Sequence, residues 1–135
     1  DVFVTGQLTA EQLRVLAKQG VGTFINNRPD REAPNQPSSN ELKTIAEELG
    51  VPYSHIPMSG GLSPDLIGAS VAAYTELPRP IVAFCASGMR SAALWGFAHV
   101  EKMGVDTVMD ALNAAGFNLE QIRHPLTEFL KSTQK

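Results

Sequence analysis

The sequence predicts an α/β fold, a single domain with a mostly parallel central sheet of four to five strands flanked by helices. Short apolar runs alternate along the chain with longer segments of helical periodicity, which is typical of parallel sheets with right-handed crossovers. The 135 residues, 43% of them hydrophobic, are enough for one buried core. We therefore expect one domain over residues 1–135, with any site at the carboxyl ends of the strands.

The first third of the chain contains two predicted strands and two predicted helices. Val2–Thr5 alternates apolar and polar residues as a short strand does, and Val21–Ile25 reads as a second strand. Thr9 and Ser38 each begin a capping box, so a helix is expected after each of them. The segment 26–37 is rich in proline, asparagine and charge, which predicts a long loop.

The rest of the chain continues the alternation. Pro52–Pro57 is a predicted third strand, and Ser63 is the expected N-cap of a helix that runs to about Leu77. Ile81–Phe84 is an apolar run expected to form a buried strand. Three further helices are predicted over 90–103, 105–115 and 119–131. Pro125 is expected to shorten or kink the last of them.

Composition and charge exclude several classes of function. The net charge is −3 and the eleven lysines and arginines are scattered, so we expect no nucleic-acid groove. No apolar run approaches the length of a membrane span, and the three histidines show no metal-ligand spacing, so no membrane partner, metal or other cofactor is expected. The single cysteine excludes an internal disulfide and favours a reducing, cytoplasmic compartment.

That cysteine, Cys85, is the most informative residue, because it directly follows the predicted strand that ends at Phe84. Gly88 allows the next residues to turn their backbone N–H groups towards one point, and the guanidinium of Arg90 can bind two oxygens of an anion. Ser91 is expected to donate a hydrogen bond to the sulfur. The predicted anion-binding loop comprises Ala86, Ser87, Gly88, Met89 and Ser91, with Cys85 and Arg90 as catalytic residues.

This arrangement predicts a nucleophile in a site for a tetrahedral anion. A free thiol has a pKa of about 8.5 and is mostly protonated at neutral pH, so the thiolate needs stabilisation. The positive end of the following helix, the loop amides and Arg90 can each provide it. The alternative is a buried structural cysteine beside an ordinary turn and a surface arginine.

The spacing Cys85-x-x-Gly88-x-Arg90 resembles the six-residue active loop of rhodanese-type sulfurtransferases. It also resembles a protein tyrosine phosphatase signature shortened by one residue. Three further segments, Gly6-Gln7-Leu8, Ile25-Asn26-Asn27-Arg28-Pro29-Asp30-x-Glu32 and Ile56-Pro57-Met58, are similar to the beta-lactamase-hydrolase-like, phosphatase-like domain family. This likeness extends from about Val2 to about Phe117 and implies a dual-specificity-phosphatase-like fold.

Three departures from a phosphatase favour sulfur transfer as the reaction. Only four residues separate Cys85 from Arg90, Phe84 replaces the histidine of the signature, and the segment 56–61 lacks the acid expected there. We therefore expect a sulfurtransferase that forms a persulfide on Cys85 from a small anionic donor such as thiosulfate or a persulfide. The family resemblance further implies a fused or co-encoded metal-dependent hydrolase of sulfide metabolism as a partner.

Two alternatives remain open at this stage. A phosphatase acting on a phosphate ester through a phosphocysteine intermediate would use the same Cys85 and Arg90, with Asp30 as the acid or a substrate contact. Asp30 lies in the long loop after the second strand and could equally pair with a neighbouring arginine, Arg28 or Arg31. The second alternative is a non-catalytic module that binds an anion or a phosphorylated ligand.

Overall fold

The structure is a computed structural model in which residues 1–133 are described. Four parallel strands form one sheet in the order β1-β4-β2-β3, so β4 is central. The prediction of an α/β fold with a parallel sheet of four to five strands is thus confirmed. The strands are β1 (Val2–Thr5), β2 (Thr23–Asn26), β3 (Tyr53–His55) and β4 (Ile81–Phe84).

Six helices and one 3-10 turn accompany the sheet in this part of the chain. The side chains of Thr9, Ser38 and Ser63 accept hydrogen bonds from the first turns of the helices that they precede, as the capping patterns predict. The helices are α1 (Ala10–Lys18), α2 (Ser39–Glu48), α3 (Pro64–Glu76), α4 (Met89–Met103), α5 (Val105–Ala114) and α6 (Arg123–Thr133), and the 3-10 turn is Glu120–Ile122.

Pro125 shortens the last helix and does not kink it. The predicted helix over 119–131 is divided into the 3-10 turn and α6, which begins at Arg123. Pro125 therefore lies in the first turn of α6, where its missing N–H group breaks no intrahelical hydrogen bond. The structure corrects the expected start of this helix by about one turn.

The two faces of the sheet pack against different helices. On one face, Phe24, Val82 and Phe84 pack with buried side chains of α1 and α2. On the other face, Ile25 and Ala83 pack beneath α3 and α4, and a further apolar cluster joins α4 to α5 and α6. Burial on both faces explains why β4 reads as a continuous apolar run, and β2 is likewise buried at all four positions although it begins with Thr23 and ends with Asn26.

The strand order brings the ends of three strands to one edge of the sheet. Thr5, Asn26 and Phe84 are aligned across β1, β2 and β4, so the loops that follow them leave side by side. This edge carries Cys85 between the other two loops. Within residues 1–133, no helix is long and apolar enough to cross a membrane.

Candidate active site

Cys85 lies at the centre of this edge and is 1% exposed. The loop after it turns sharply at Gly88, whose φ of 95° lies in the left-handed region that favours glycine. This turn points the backbone N–H of Gly88 at the Cys85 sulfur, with 3.1 Å between the nitrogen and Sγ. Helix α4 begins at the next residue, so its positive end faces the same thiol.

Neighbouring segments leave little space around the loop. A Cβ atom built on Gly88 would lie 3.2 Å from the ring of Phe117, and one built on Gly6 would lie 2.9 Å from the carbonyl oxygen of Ala86. The backbone N–H of Gln7 also donates to that oxygen, at 3.3 Å. Phe117 and Gly6 therefore support the loop, a role that the sequence pattern did not indicate for Phe117.

The environment favours the thiolate form of Cys85. Burial raises the pKa of the thiol, but hydrogen bonds from Ser91, Gly88 and Arg90 outweigh it, and the pKa lies below its usual value. The structure thus supplies the stabilisation of a thiolate that the sequence predicted. A buried structural cysteine would have a raised pKa, since nothing would offset the cost of burying its charge.

Ser91 has a second partner besides the expected sulfur. Its hydroxyl donates a hydrogen bond of 2.7 Å to Oδ1 of Asn27, and the amide nitrogen of Asn27 donates to the carbonyl of Ile56 at 2.9 Å. The orientation of the Asn27 amide requires Oδ1 to be the acceptor. The Ser91 hydroxyl donates its proton to Asn27 in this structure, and the Ser91 side chain, like the backbone N–H groups of the loop, also lowers the pKa of Cys85.

Arg90 is predicted to bind the anionic group of a substrate. In the structure it binds a carboxylate of the protein itself, that of Glu32. The two terminal nitrogens of Arg90 lie 2.8 and 2.9 Å from the two oxygens of Glu32. One of them also donates to the carbonyl of Met58, at 3.1 Å. The hydrogen bonds that Arg90 donates to Glu32 have the largest effect in raising the pKa of Arg90, and the negative charges of Glu32 and Cys85 raise it further.

Arg28 contacts the same carboxylate. Its Nε lies 3.0 Å from Oε1 of Glu32, and its Nη1 donates to Oε1 of Gln7 at 3.0 Å. Hydrogen bonds from Arg90 and Arg28 lower the pKa of Glu32 to about 2. The effect of Arg90 is the largest and exceeds the opposing effect of desolvation. Glu32 is consequently ionised at neutral pH and bridges two guanidinium groups.

Asp30 is held at the beginning of α2. Its carboxylate accepts a hydrogen bond of 2.7 Å from the backbone N–H of Ser39, the first residue of that helix. Asp30 takes part in none of the ion pairs found within residues 1–133, so the expected pairing with Arg28 or Arg31 is absent there. The carboxylate that contacts Arg90 is that of Glu32, two residues further along.

The remaining loop residues form the rim of the site. Ala86, Ser87 and Met89 are exposed, and the Met89 side chain is among the few large apolar side chains that reach solvent. These residues contribute backbone to the loop and leave their side chains exposed at its surface. In the described part of the chain, no three metal-ligating side chains come together.

Sequence reasoning missed Glu32 and Asn27 as functional residues, although both lie in a segment that carries the family resemblance. Both follow β2 in the loop beside Cys85, and their partners Arg90 and Ser91 follow β4. The feature that could have indicated them is the polar loop after β2, which lies next to β4, the strand that Cys85 follows. The sequence could not specify that strand order.

The fold and site together define the class of a phosphatase-like domain. A model of the family described as beta-lactamase hydrolase-like protein, phosphatase-like domain, matches residues 1–102. The chain belongs to this family, which confirms the resemblance drawn from the sequence. The class of phosphatase-like domain is thereby established. The family match does not indicate transfer of sulfur.

Relatives and solved structures agree with this placement. A beta-lactamase hydrolase-like protein of Agrobacterium fabrum is 33% identical over 96 residues, which are 68% of this chain and 22% of that protein. A crystal structure of a candidate phosphatase from Neisseria meningitidis is 31% identical, covers 95% of this chain and 92% of that one, and has a TM-score of 0.81.

A more distant neighbour shows the fold alone. The core catalytic domain of the PP-IP phosphatase SIW14 from S. cerevisiae, in complex with citrate, is 16% identical and has a TM-score of 0.70. The match covers 93% of this chain and 78% of that one. The chain spans about a fifth of the length of the Agrobacterium relative. The activity of that whole protein is therefore not assigned to this chain.

Proposed function

We propose that this protein is a cysteine-dependent phosphatase that forms a phosphocysteine on Cys85. The observation that carries the proposal is the buried thiol whose Sγ lies 3.1 Å from the N–H of Gly88, at the positive end of α4. The lowered pKa of this thiol and the phosphatase-like family support the same reading. Sulfur transfer, the first expectation from the sequence, has less support than this alternative.

The proposed reaction has two displacements at phosphorus. The Cys85 thiolate attacks the phosphorus of a small anionic phosphate compound, an S–P bond forms, and the bond to the leaving oxygen breaks. Loop amides and Arg90 bind the phosphoryl oxygens, whose charge they neutralise. Water then attacks the phosphocysteine, the S–P bond breaks, and orthophosphate and the thiolate are released.

Proton donation to the leaving group is the step with the least support. Asp30 already accepts a hydrogen bond from the first turn of α2, which favours a capping role over that of an acid. Glu32 is ionised, with a pKa of about 2, and therefore carries no proton at neutral pH. A phosphatase built in this way works best on compounds whose leaving group departs without protonation.

Sulfur transfer is the second candidate, favoured by the four-residue spacing between Cys85 and Arg90. A sulfane donor such as thiosulfate expels sulfite, which needs no acid, so the same site serves this chemistry. The thiolate of Cys85 would attack the outer sulfur, and the S–S bond would break with its electron pair on the leaving sulfite. A fused or co-encoded hydrolase of sulfide metabolism stays a prediction tied to this candidate.

One paired assay separates these functions. Wild type and Cys85→Ser are each incubated with 4-nitrophenyl phosphate, and separately with thiosulfate and cyanide, while intact mass reports any adduct. We expect release of nitrophenolate by wild type alone, with a phosphorylated Cys85 trapped on rapid acid quench. Thiocyanate formation with a persulfide adduct, and no release of nitrophenolate, would replace the phosphatase by the sulfurtransferase.

The same experiment also tests the binding module. If wild type turns over neither substrate, calorimetry with orthophosphate decides whether the loop still binds an anion. Binding without turnover, retained in Cys85→Ser, would overturn the enzymatic proposal. A lost signal in Arg90→Ala would then assign the binding to this loop.

A further inference from the structure

Two anion-binding features meet at Arg90. Its guanidinium interacts with the charge of Cys85 on one side and binds Glu32 on the other. Oε1 of Glu32 lies 2.9 Å from Nη2 of Arg90 and 3.0 Å from Nε of Arg28. A single oxygen is therefore held between two guanidinium groups, beside the thiol loop. We call the position of this carboxylate, between Arg28 and Arg90, the second anion seat.

The two guanidinium groups carry two positive charges, whereas the carboxylate of Glu32 carries one negative charge. A phosphate group carries more negative charge than a carboxylate and has three oxygens that accept hydrogen bonds. It can therefore accept more hydrogen bonds from the two guanidinium groups than a carboxylate can. Glu32 can give up the position because its side chain is 31% exposed and lies on a loop at the surface. Arg28 is held in place independently by Gln7, and its side chain is only 12% exposed.

Resting on the proposed function, we propose that the substrate is a phosphoanhydride whose leaving phosphate takes the second anion seat. Its terminal phosphoryl group lies against Cys85, and its other phosphate displaces Glu32 from between Arg28 and Arg90. A substrate with two linked phosphates matches two adjacent anion sites that share one arginine. The seat also discriminates against simple monoesters, which leave it to Glu32.

The leaving-group chemistry agrees with this geometry. When the thiolate attacks the terminal phosphorus, the bond to the bridging oxygen breaks and its electron pair stays on the departing phosphate. In a diphosphate ester the departing group is a phosphate monoester with a second pKa of about 6, so it leaves as a dianion without a proton from the protein. In inorganic pyrophosphate the departing phosphate already carries one proton at neutral pH, so it also leaves as a dianion. A tyrosine phenoxide, with a pKa of about 10, would need an acid. Water hydrolyses the phosphocysteine, and its proton goes to the released orthophosphate.

The test compares three substrates with wild-type protein. They are inorganic pyrophosphate, 4-nitrophenyl phosphate, whose leaving group needs no acid, and phenyl phosphate, whose leaving group does. We expect kcat/KM for pyrophosphate to exceed that for 4-nitrophenyl phosphate by about tenfold or more, from the second pair of charged hydrogen bonds. Phenyl phosphate should be slower than 4-nitrophenyl phosphate by about a hundredfold or more.

Substitution of Arg28 tests the second anion seat itself. In Arg28→Gln the preference for pyrophosphate over 4-nitrophenyl phosphate should fall by about tenfold or more. Arg31→Gln is the matched control, because Arg31 is exposed on the same loop and has the same charge. This control should keep the wild-type preference, and circular dichroism checks that both variants fold.

The outcomes separate this inference from the proposed function. If wild type hydrolyses 4-nitrophenyl phosphate but shows no preference for pyrophosphate, the inference is wrong and the phosphatase stands. A preference that Arg28→Gln leaves intact would also overturn the second anion seat. If wild type hydrolyses none of the three substrates while Cys85 is still alkylated by iodoacetamide, the proposed function fails and the inference with it.

Discussion

Glu32 and Arg90 form a two-point ion pair, with nitrogen–oxygen distances of 2.8 and 2.9 Å, although 58 residues separate them in the sequence. The pair ties the long loop after β2 to the first turn of α4. An anion that binds between Arg28 and Arg90, as proposed, must displace this carboxylate. Because the carboxylate is ionised and the guanidinium lies beside a thiolate, the site has an electrostatic balance that substitutions can shift.

Stability should respond to the charge of Glu32 below neutral pH. The pKa of Glu32 is lowered from 4.5 to about 2 in the folded state, so its stabilising effect is complete above pH 4.5 and is lost as pH falls towards 2. Glu32→Gln removes that dependence. We expect wild type to be more stable by up to about 1 kcal/mol at neutral pH, since the pair is partly exposed.

The measurement is urea unfolding of both proteins at several pH values across that window. The difference in the free energy of unfolding should shrink steadily as Glu32 becomes protonated. Asp110→Asn is a control for the general effect of removing a carboxylate from the surface, because Asp110 is exposed within α5 and takes part in none of the ion pairs found within residues 1–133. A difference between wild type and Glu32→Gln that is constant with pH would contradict the assigned ion pair.

Gly88→Ala should impair both the fold and the thiolate. The φ of 95° costs an alanine about 1 to 2 kcal/mol, and the new Cβ would lie 3.2 Å from the Phe117 ring. Relief of this strain moves the N–H that contacts Cys85, which raises the pKa of the thiol. We expect a lower melting temperature and slower alkylation by iodoacetamide at neutral pH.

Gly20→Ala provides the matched control for that substitution. Gly20 has nearly the same φ, 98°, but no atoms lie within 4 Å of the position of the added Cβ. It should lose stability from backbone strain alone and keep the wild-type pH profile of alkylation. If Gly88→Ala keeps that profile too, the amide of Gly88 does not stabilise the thiolate.

The fold was largely predictable because local signals determine it. Capping residues such as Thr9 and Ser38 mark helix starts, and the apolar run Ile81–Phe84 marks a strand buried on both faces. The error at the last helix had a local cause as well. The periodicity of apolar residues continues through the 3-10 turn Glu120–Ile122, so it could not show that α6 begins later.

The site was predictable only where its residues are contiguous. Cys85, Gly88 and Arg90 follow one strand within six residues, so their convergence follows from a single turn. Glu32 reaches Arg90 because β2 lies beside β4, and the sequence does not specify which strands are neighbours. The sequence predicts Asp30 as a candidate acid. In the structure its carboxylate accepts a hydrogen bond from an N–H group at the start of α2, which has no partner within the helix.

Asp30→Asn tests whether that carboxylate caps α2 or donates a proton. Loss of the charge near the positive end of α2 should reduce stability by about 0.5 to 1 kcal/mol. Release of phosphate from phenyl phosphate, whose leaving group needs an acid, should remain within about twofold of wild type, because loss of the catalytic acid would cost about a hundredfold or more. Steady-state kinetics and thermal unfolding give both values. A loss of activity of that larger size would restore Asp30 as the acid.

Ser91→Ala separates the structural role of this hydroxyl from a role at the sulfur. The hydroxyl donates to Oδ1 of Asn27, a buried residue, and its removal leaves that oxygen without its donor. The expected cost is about 1 to 3 kcal/mol in the free energy of unfolding. Since the Ser91 side chain is one of the groups that lower the pKa of Cys85, that pKa should also rise in this variant.

Ser70→Ala is the control, because Ser70 is equally buried but donates to the carbonyl of Leu66 within α3. It should cost less stability, since that carbonyl lies inside a helix where the backbone also provides a hydrogen bond. Alkylation of Cys85 as a function of pH is measured for both variants. A thiol pKa that is the same in Ser91→Ala as in wild type would show that the backbone N–H groups alone hold the charge of the thiolate.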